Sequence, residues 1–263
     1  AFKKSLPFWL TSIFILIYFR IDTVMLSIMK NYEMVGWYNA AYKALDAFYF
    51  IPGAVIAAVF PVMSRFHVEN KGHLKLLYKK SFYYLFAIAL PMGIGITMLA
   101  SRIIHFVYKE AFAESIPALK ILIWAEVFIF VSAITGYLLN SINQQRLFTY
   151  STAFCAALNI GLNFIAIPKY GHIGASITTV ITEGMNFLLL FYFTNRKGYS
   201  IPSLSWMLKP VIATVAMAVV VYYTQAYHLL LIIIFSALAY FAALFAVKGI
   251  HKEDINTVKE IIY

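Results

Sequence analysis

The sequence predicts an all-α integral membrane protein with about eight transmembrane helices, because apolar runs near the roughly 20 residues needed to cross a bilayer recur along the chain. Its composition points the same way. Of 263 residues, 62% are hydrophobic and only 12% charged, with mean hydropathy +0.80, whereas soluble domains hold about 45–50% apolar and about 25% charged residues. A water-soluble chain could not cover its surface with so few charges, so lipid must solvate much of it.

The runs, in order, are Leu6–Met29, Gly36–Phe66, Phe82–Ile104, Pro117–Leu139, Leu147–Pro168, Ile173–Thr194, Trp206–Gln225 and Leu229–Val247. The second is long enough to kink at Pro52 or to project beyond the membrane. Pro91 interrupts the third, where neighbouring helices can satisfy the freed backbone groups. Two stretches read as non-membrane structure. His67–Lys80 is a basic loop that starts an amphipathic helix, and Lys248–Tyr263 is a surface helix with Ile255, Val258 and Ile262 on one side.

The formal charge of +10 would suit nucleic acid only if Lys and Arg gathered on one face of a folded domain. Here they sit between apolar runs. Counted by loop, Lys and Arg favour one side by about three to one, which puts Arg65, Lys71, Lys75, Arg196 and Lys197 in the cytoplasm together with both ends of the chain. Lys30, Arg102, Lys109, Lys120 and Lys169 fall on the outer side. Cys155, the single cysteine, lies in an apolar run, so neither an intrachain disulfide nor a cysteine metal cluster is available. No cleavable signal peptide is visible. The chain begins at Ala1 rather than Met, and the expectation is a fragment or trimmed product.

Four phrases in order, RIDTVML (Arg20–Leu26), VGWYNAAYKALDAFYFIP (Val35–Pro52), FPVMSRF (Phe60–Phe66) and LNFIAIPKYGHIGASITTVITE (Leu162–Glu183), carry a resemblance. They resemble the O-antigen-type polysaccharide flippases of the multidrug/oligosaccharidyl-lipid/polysaccharide exporter superfamily, whose MATE-like members have two six-helix lobes and alternating access. The resemblance implies that residues 1–197 form the second, C-terminal lobe and that residues 198–263 add two helices and a cytoplasmic tail. It further implies a multi-pass protein of the cell membrane that moves a polyprenyl-pyrophosphate-linked oligosaccharide for surface polysaccharide biosynthesis. The missing N-terminal lobe, the lipid bilayer and the lipid-linked sugar are then its partners, with no cofactor and no nucleic acid. A cation-coupled multidrug exporter or a peptidoglycan-precursor flippase shares the architecture and stays open.

Away from the ends of the predicted helices lie six ionisable residues: Arg20, Asp22, Lys43, Asp46, Glu126 and Glu183. At about 1.5 Å per residue, all sit about 10–15 Å below the outer surface, so they form one layer. Such residues are costly in lipid and normally face a bundle interior or an aqueous cavity. With the first turn centred between Lys30 and Val35, Asp22 falls opposite Lys43 and Arg20 opposite Asp46, giving two candidate structural ion pairs. Those four residues either lock the hairpin, or Arg20 or Lys43 binds the substrate's pyrophosphate, for which Arg offers a planar two-donor fork. Glu126 and Glu183 are left as ion-coupling candidates, or as neutral groups hydrogen-bonded to Asn159, Asn163 or Asn186.

Tyr38, Tyr42 and Tyr49 are candidates for stacking on sugar. His67 and His73 have no metal-motif spacing. The sequence contains no nucleophile elbow, HExxH or P-loop, so neither a hydrolase nor an ATP-driven pump has support. A membrane glycosyltransferase or ligase would need a catalytic carboxylate beside a sizeable extramembrane loop, and no loop is long enough. The expectation is a transporter, not an enzyme.

Overall fold

The structure is a computed structural model that describes residues 20–249. The described residues contain helices and turns and no strand. Helix α1 (20–29) is followed by α2 (Tyr32–Asp46), α3 (Phe50–Glu69), α4 (Lys71–Tyr108), α5 (Ser115–Ser141), α6 (Gln145–Arg196), α7 (Leu204–Tyr223) and α8 (Leu229–Ala246). The last six are long and apolar enough to cross a membrane. The start of the first predicted run and the predicted surface helix after Gly249 lie outside the described residues.

Asn31 sets the start of α2. Its side chain accepts the Met34 N–H at 3.1 Å, so it caps the helix and closes the first turn at Lys30–Asn31. The predicted second run is two helices, because the chain turns at residues 47–49. Pro52 causes no kink there, since it occupies the first turn of α3, where its missing N–H has no intrahelical partner to lose. Asn70 ends α3 and caps α4 by accepting from Gly72 N at 2.9 Å and His73 N at 3.2 Å. The basic stretch is therefore continuous with its membrane span, and α4 runs for 38 residues.

Pro91 lies inside α4 without ending it. Having no N–H, it leaves the Ala87 carbonyl unserved, and Tyr240 of α8 donates its hydroxyl to that carbonyl. This is one of the neighbouring-helix rescues that membrane helices allow. At the opposite ends, Arg102 donates to the carbonyls of Gln225 and Tyr227, and Tyr83 donates to Gly249 O at 2.8 Å. Leu99, Met217, Ile232 and Leu244 fill the contact between them. The α7–α8 hairpin is thus pinned to α4 along its length.

The 52 residues of α6 would make a rod of about 78 Å, more than twice the hydrocarbon thickness. The rod folds back instead. Gly171 adopts φ 57° and ψ −135°, a left-handed conformation that a residue without Cβ enters readily. Beyond the bend, an added Cβ on Gly174 would come within 2.3 Å of the Ala166 carbonyl oxygen, so the two arms touch backbone to backbone. The two predicted runs on either side of Pro168 are these arms.

Helix α5 packs against α2, α3, α4 and α6 and forms the centre of the bundle. Tyr78, Phe82, Phe130 and Leu139 fill one end of the core, and Leu26, Leu45, Ile104, Leu119 and Ile123 fill the other. Between lipid-solvated helices, close packing rather than water exclusion supplies the attraction. Gly93 and Gly136 permit it: added Cβ atoms there would lie 2.9 Å from Val127 and 2.7 Å from Phe148.

Candidate functional site

The six ionisable residues divide into two groups. Asp22, Glu126 and Glu183 are buried, whereas Arg20, Lys43 and Asp46 are exposed. Neither predicted ion pair is present. The ion pairs among the described residues, Arg65 with Glu69 at 3.6 Å and His105 with Glu110 at 2.8 Å, lie elsewhere. The register explains the correction. Because Asn31 caps α2, the turn comes earlier than predicted and the pairing moves by about four residues, one helical turn. Asp22 therefore meets Tyr38, and Thr23 meets Asn39.

Asp22 is held by neutral donors from three helical segments. Tyr38 of α2 donates to Oδ2 at 2.9 Å, and Thr179 of the second α6 arm donates to the same oxygen at 2.8 Å. Asn163 of the first arm donates Nδ2 to Oδ1 at 2.5 Å and to Asn159 Oδ1 at 3.0 Å. The hairpin geometry produces this set: Asn159 and Asn163 are one helical turn apart, and the bend at Gly171 brings Thr179 back to their depth. The Asn163 Oδ1 atom is buried without a hydrogen-bond partner.

Two further carboxylates are buried on α5 and α6. Glu126 on α5 and Glu183 on α6 are close enough for their charges to interact, and Tyr49 hydrogen-bonds to Glu126. Tyr49 also hydrogen-bonds to Tyr42, whose ring is 5.4 Å from that of Tyr38. Glu126 Oε1 is buried without a partner. The expected amide partners are used differently, since Asn163 serves Asp22 and Asn186 accepts from Ser151 at 2.8 Å. Tyr38, predicted as a sugar platform, is 1% exposed and committed to Asp22.

Uncompensated buried charge is costly, so Asp22 calls for a proton or a small cation. The oxygens of Asp22, Asn159, Asn163 and Thr179 suit a hard cation rather than a transition metal. No group of three or more His, Cys, Asp or Glu that could hold a metal occurs among the described residues. His67 lies in the last turn of α3, and His73 lies in the first turn of α4 with its ring 5.4 Å from that of Phe66.

The described residues form a helical membrane bundle with buried carboxylates at Asp22, Glu126 and Glu183. Residues 1–67 match the family described as "Polysaccharide biosynthesis protein". An uncharacterized membrane protein of Methanocaldococcus jannaschii, MJ1068, is 27% identical over 67% of this chain and 35% of its own length. A Haloferax volcanii protein described as a probable low-salt glycan biosynthesis flippase, Agl15, is 25% identical over 65% of this chain and 37% of its own. The chain thus spans about a third of the length of these relatives. Among solved structures, the lipid II flippase MurJ in an inward closed conformation matches 95% of this chain and 54% of its own, with TM-score 0.77 and 17% identity. A multidrug resistance MATE family transporter of the MOP superfamily, in an outward-facing conformation, matches 92% and 62%, with TM-score 0.61 and 16% identity. The chain is a multi-pass membrane protein that has the fold of MurJ and of the MATE transporter and is similar in sequence to a probable glycan biosynthesis flippase.

Proposed function

We propose that this chain is the C-terminal lobe, residues 1–197, and the two following helices, residues 198–263, of a flippase in the cell membrane. The flippase carries a polyprenyl-pyrophosphate-linked oligosaccharide from the cytoplasmic to the outer leaflet, acting as a carrier and not an enzyme. Both ends of the chain face the cytoplasm, as the Lys and Arg distribution requires. A facing six-helix lobe closes the central cavity, and the two rock alternately open.

The division of the charged layer carries the reading. Arg20 and Lys43 are exposed, free to meet a partner lobe or a cavity, and make no ion pair among the described residues; an anionic pyrophosphate supplies the missing charge. The buried carboxylates Asp22 and Glu126, with Glu183 beside Glu126, face inward and take up the coupling proton or monovalent cation. In the full-length protein, Arg20→Ala and Lys43→Ala should abolish surface polysaccharide while membrane abundance stays normal. Normal export by both well-expressed variants would reject the cargo role. The acidic interior also suits a cation-coupled drug exporter, and drug efflux with no effect on polysaccharide would favour that second reading.

A further inference from the structure

The register that undoes the predicted ion pairs brings other polar residues together. On α1, Arg20, Thr23 and Ser27 are spaced by one helical turn and so share one face; Arg20 and Ser27 are exposed and Thr23 is half-buried. On α2, Asn39, Lys43 and Asp46 share a face in the same way, with Lys43 and Asp46 exposed and Asn39 half-buried. Thr23 donates to Asn39 Oδ1 at 3.4 Å, which joins the two faces into one polar surface. The same antiparallel register, Asp22 against Tyr38 and Thr23 against Asn39, sets Arg20 within about one helical turn of Lys43. Lipid is a costly neighbour for such a set of side chains, and a polar cavity is not.

Holding α1 to α2 does not explain the Thr23–Asn39 pair. One position earlier on each helix, Tyr38 donates to the buried Asp22 at 2.9 Å and already joins them. The Thr23 bond is long beside the roughly 2.7–2.8 Å usual for a hydroxyl donor. The Asn39 amide nitrogen, which carries two donors, meets no acceptor among the described residues. An amide and a hydroxyl set side by side offer donors and acceptors together, the pattern that neighbouring sugar hydroxyls match. Asn39 also lies one turn along α2 from Lys43, a Cβ separation of about 6 Å, so a sugar attached to a phosphate at Lys43 reaches it.

We propose that Thr23 and Asn39 bind hydroxyl groups of the first sugar of the cargo, the one joined to the pyrophosphate, while Arg20 and Lys43 hold the phosphates. The proposal rests on the cargo role given to Arg20 and Lys43 above and adds to it the residues that read the sugar. The full-length protein in detergent is titrated with farnesyl pyrophosphate capped by a methyl ester, and with the same lipid carrying glucose, galactose or N-acetylglucosamine in place of the methyl group. All four probes carry the same charge. The ratio of affinities, sugar-bearing over methyl-capped, therefore isolates the sugar contacts from the phosphate contacts.

At least one sugar should raise the affinity about tenfold or more, since each hydrogen bond contributes about three- to tenfold. Asn39→Ala should lower that ratio about tenfold and Thr23→Val about threefold. Arg20→Ala and Lys43→Ala should weaken all four probes together, so their ratio stands. Binding of the methyl-capped lipid reports that each variant is folded. A ratio near one for all three sugars in the unaltered protein would overturn the proposal. An undiminished ratio in both Asn39→Ala and Thr23→Val would overturn it as well. Failure of the pyrophosphate reading shows separately, as methyl-capped lipid bound equally well by Arg20→Ala, Lys43→Ala and the unaltered protein.

Discussion

Tyr240→Phe removes one hydroxyl and tests how the chain tolerates proline in mid-membrane. The hydroxyl serves the Ala87 carbonyl that Pro91 cannot serve. Tyr240 is 4% exposed, so the substitution strands a buried acceptor. An orphaned buried acceptor costs about 1–3 kcal/mol, while interhelical hydrogen bonds in membranes average about 0.6 and reach about 1.7 kcal/mol. The expected loss is therefore about 1–1.5 kcal/mol, or about 2–6 °C in melting temperature at about 2–4 °C per kcal/mol. The decisive assay is a double-mutant cycle with Pro91→Ala in detergent. The alanine restores an N–H one helical turn from Ala87, so Tyr240→Phe should cost well under half as much in that background. Equal costs in both backgrounds would refute the pairing of Pro91 with Tyr240.

Three further outcomes follow from the fold. Asn31→Ala removes the α2 cap and should cost about 1 kcal/mol, read as a lower melting temperature, with Asn31→Asp recovering most of it. Gly174→Ala should be more damaging than Gly171→Ala. The added methyl at 174 meets the Ala166 backbone at 2.3 Å, whereas at 171 it meets the flexible Met34 side chain at 2.7 Å, with a left-handed φ adding about 1–2 kcal/mol of strain; thermal stability of the two variants ranks them. Asp22→Asn keeps the neutral hydrogen-bonding shell but removes the charge. It should leave the protein folded and abolish the dependence of transport on a cation or proton gradient, and loss of folding instead would make Asp22 a structural group.

Much of the fold is legible in the sequence because lipid permits few solutions. Length and hydropathy locate α4, α5, both arms of α6, α7 and α8, and Pro91 marks a carbonyl that a neighbouring helix can rescue. The partner itself is not legible, since nothing local marks Tyr240 as facing Ala87. Composition finds the charged residues, but their contacts hinge on one turn. Placing that turn after Lys30 without crediting Asn31 as a cap moves the register by a helical turn and gives Lys43 to Asp22. Thr179 and Asn163 escape notice as Asp22 partners because the bend at Gly171, far along the chain, brings them together. The spacing of Asn159 and Asn163 is the available signal.

The central claim is transport of a lipid-linked sugar driven through buried carboxylates. Its most direct test is translocation of a fluorescent polyprenyl-pyrophosphate oligosaccharide by the purified full-length protein in liposomes, followed by lectin accessibility under an imposed proton or sodium gradient. The account predicts gradient-dependent appearance of the sugar at the far leaflet, lost in Asp22→Asn. Translocation no faster than in protein-free liposomes, with the protein folded and the gradient intact, would contradict it.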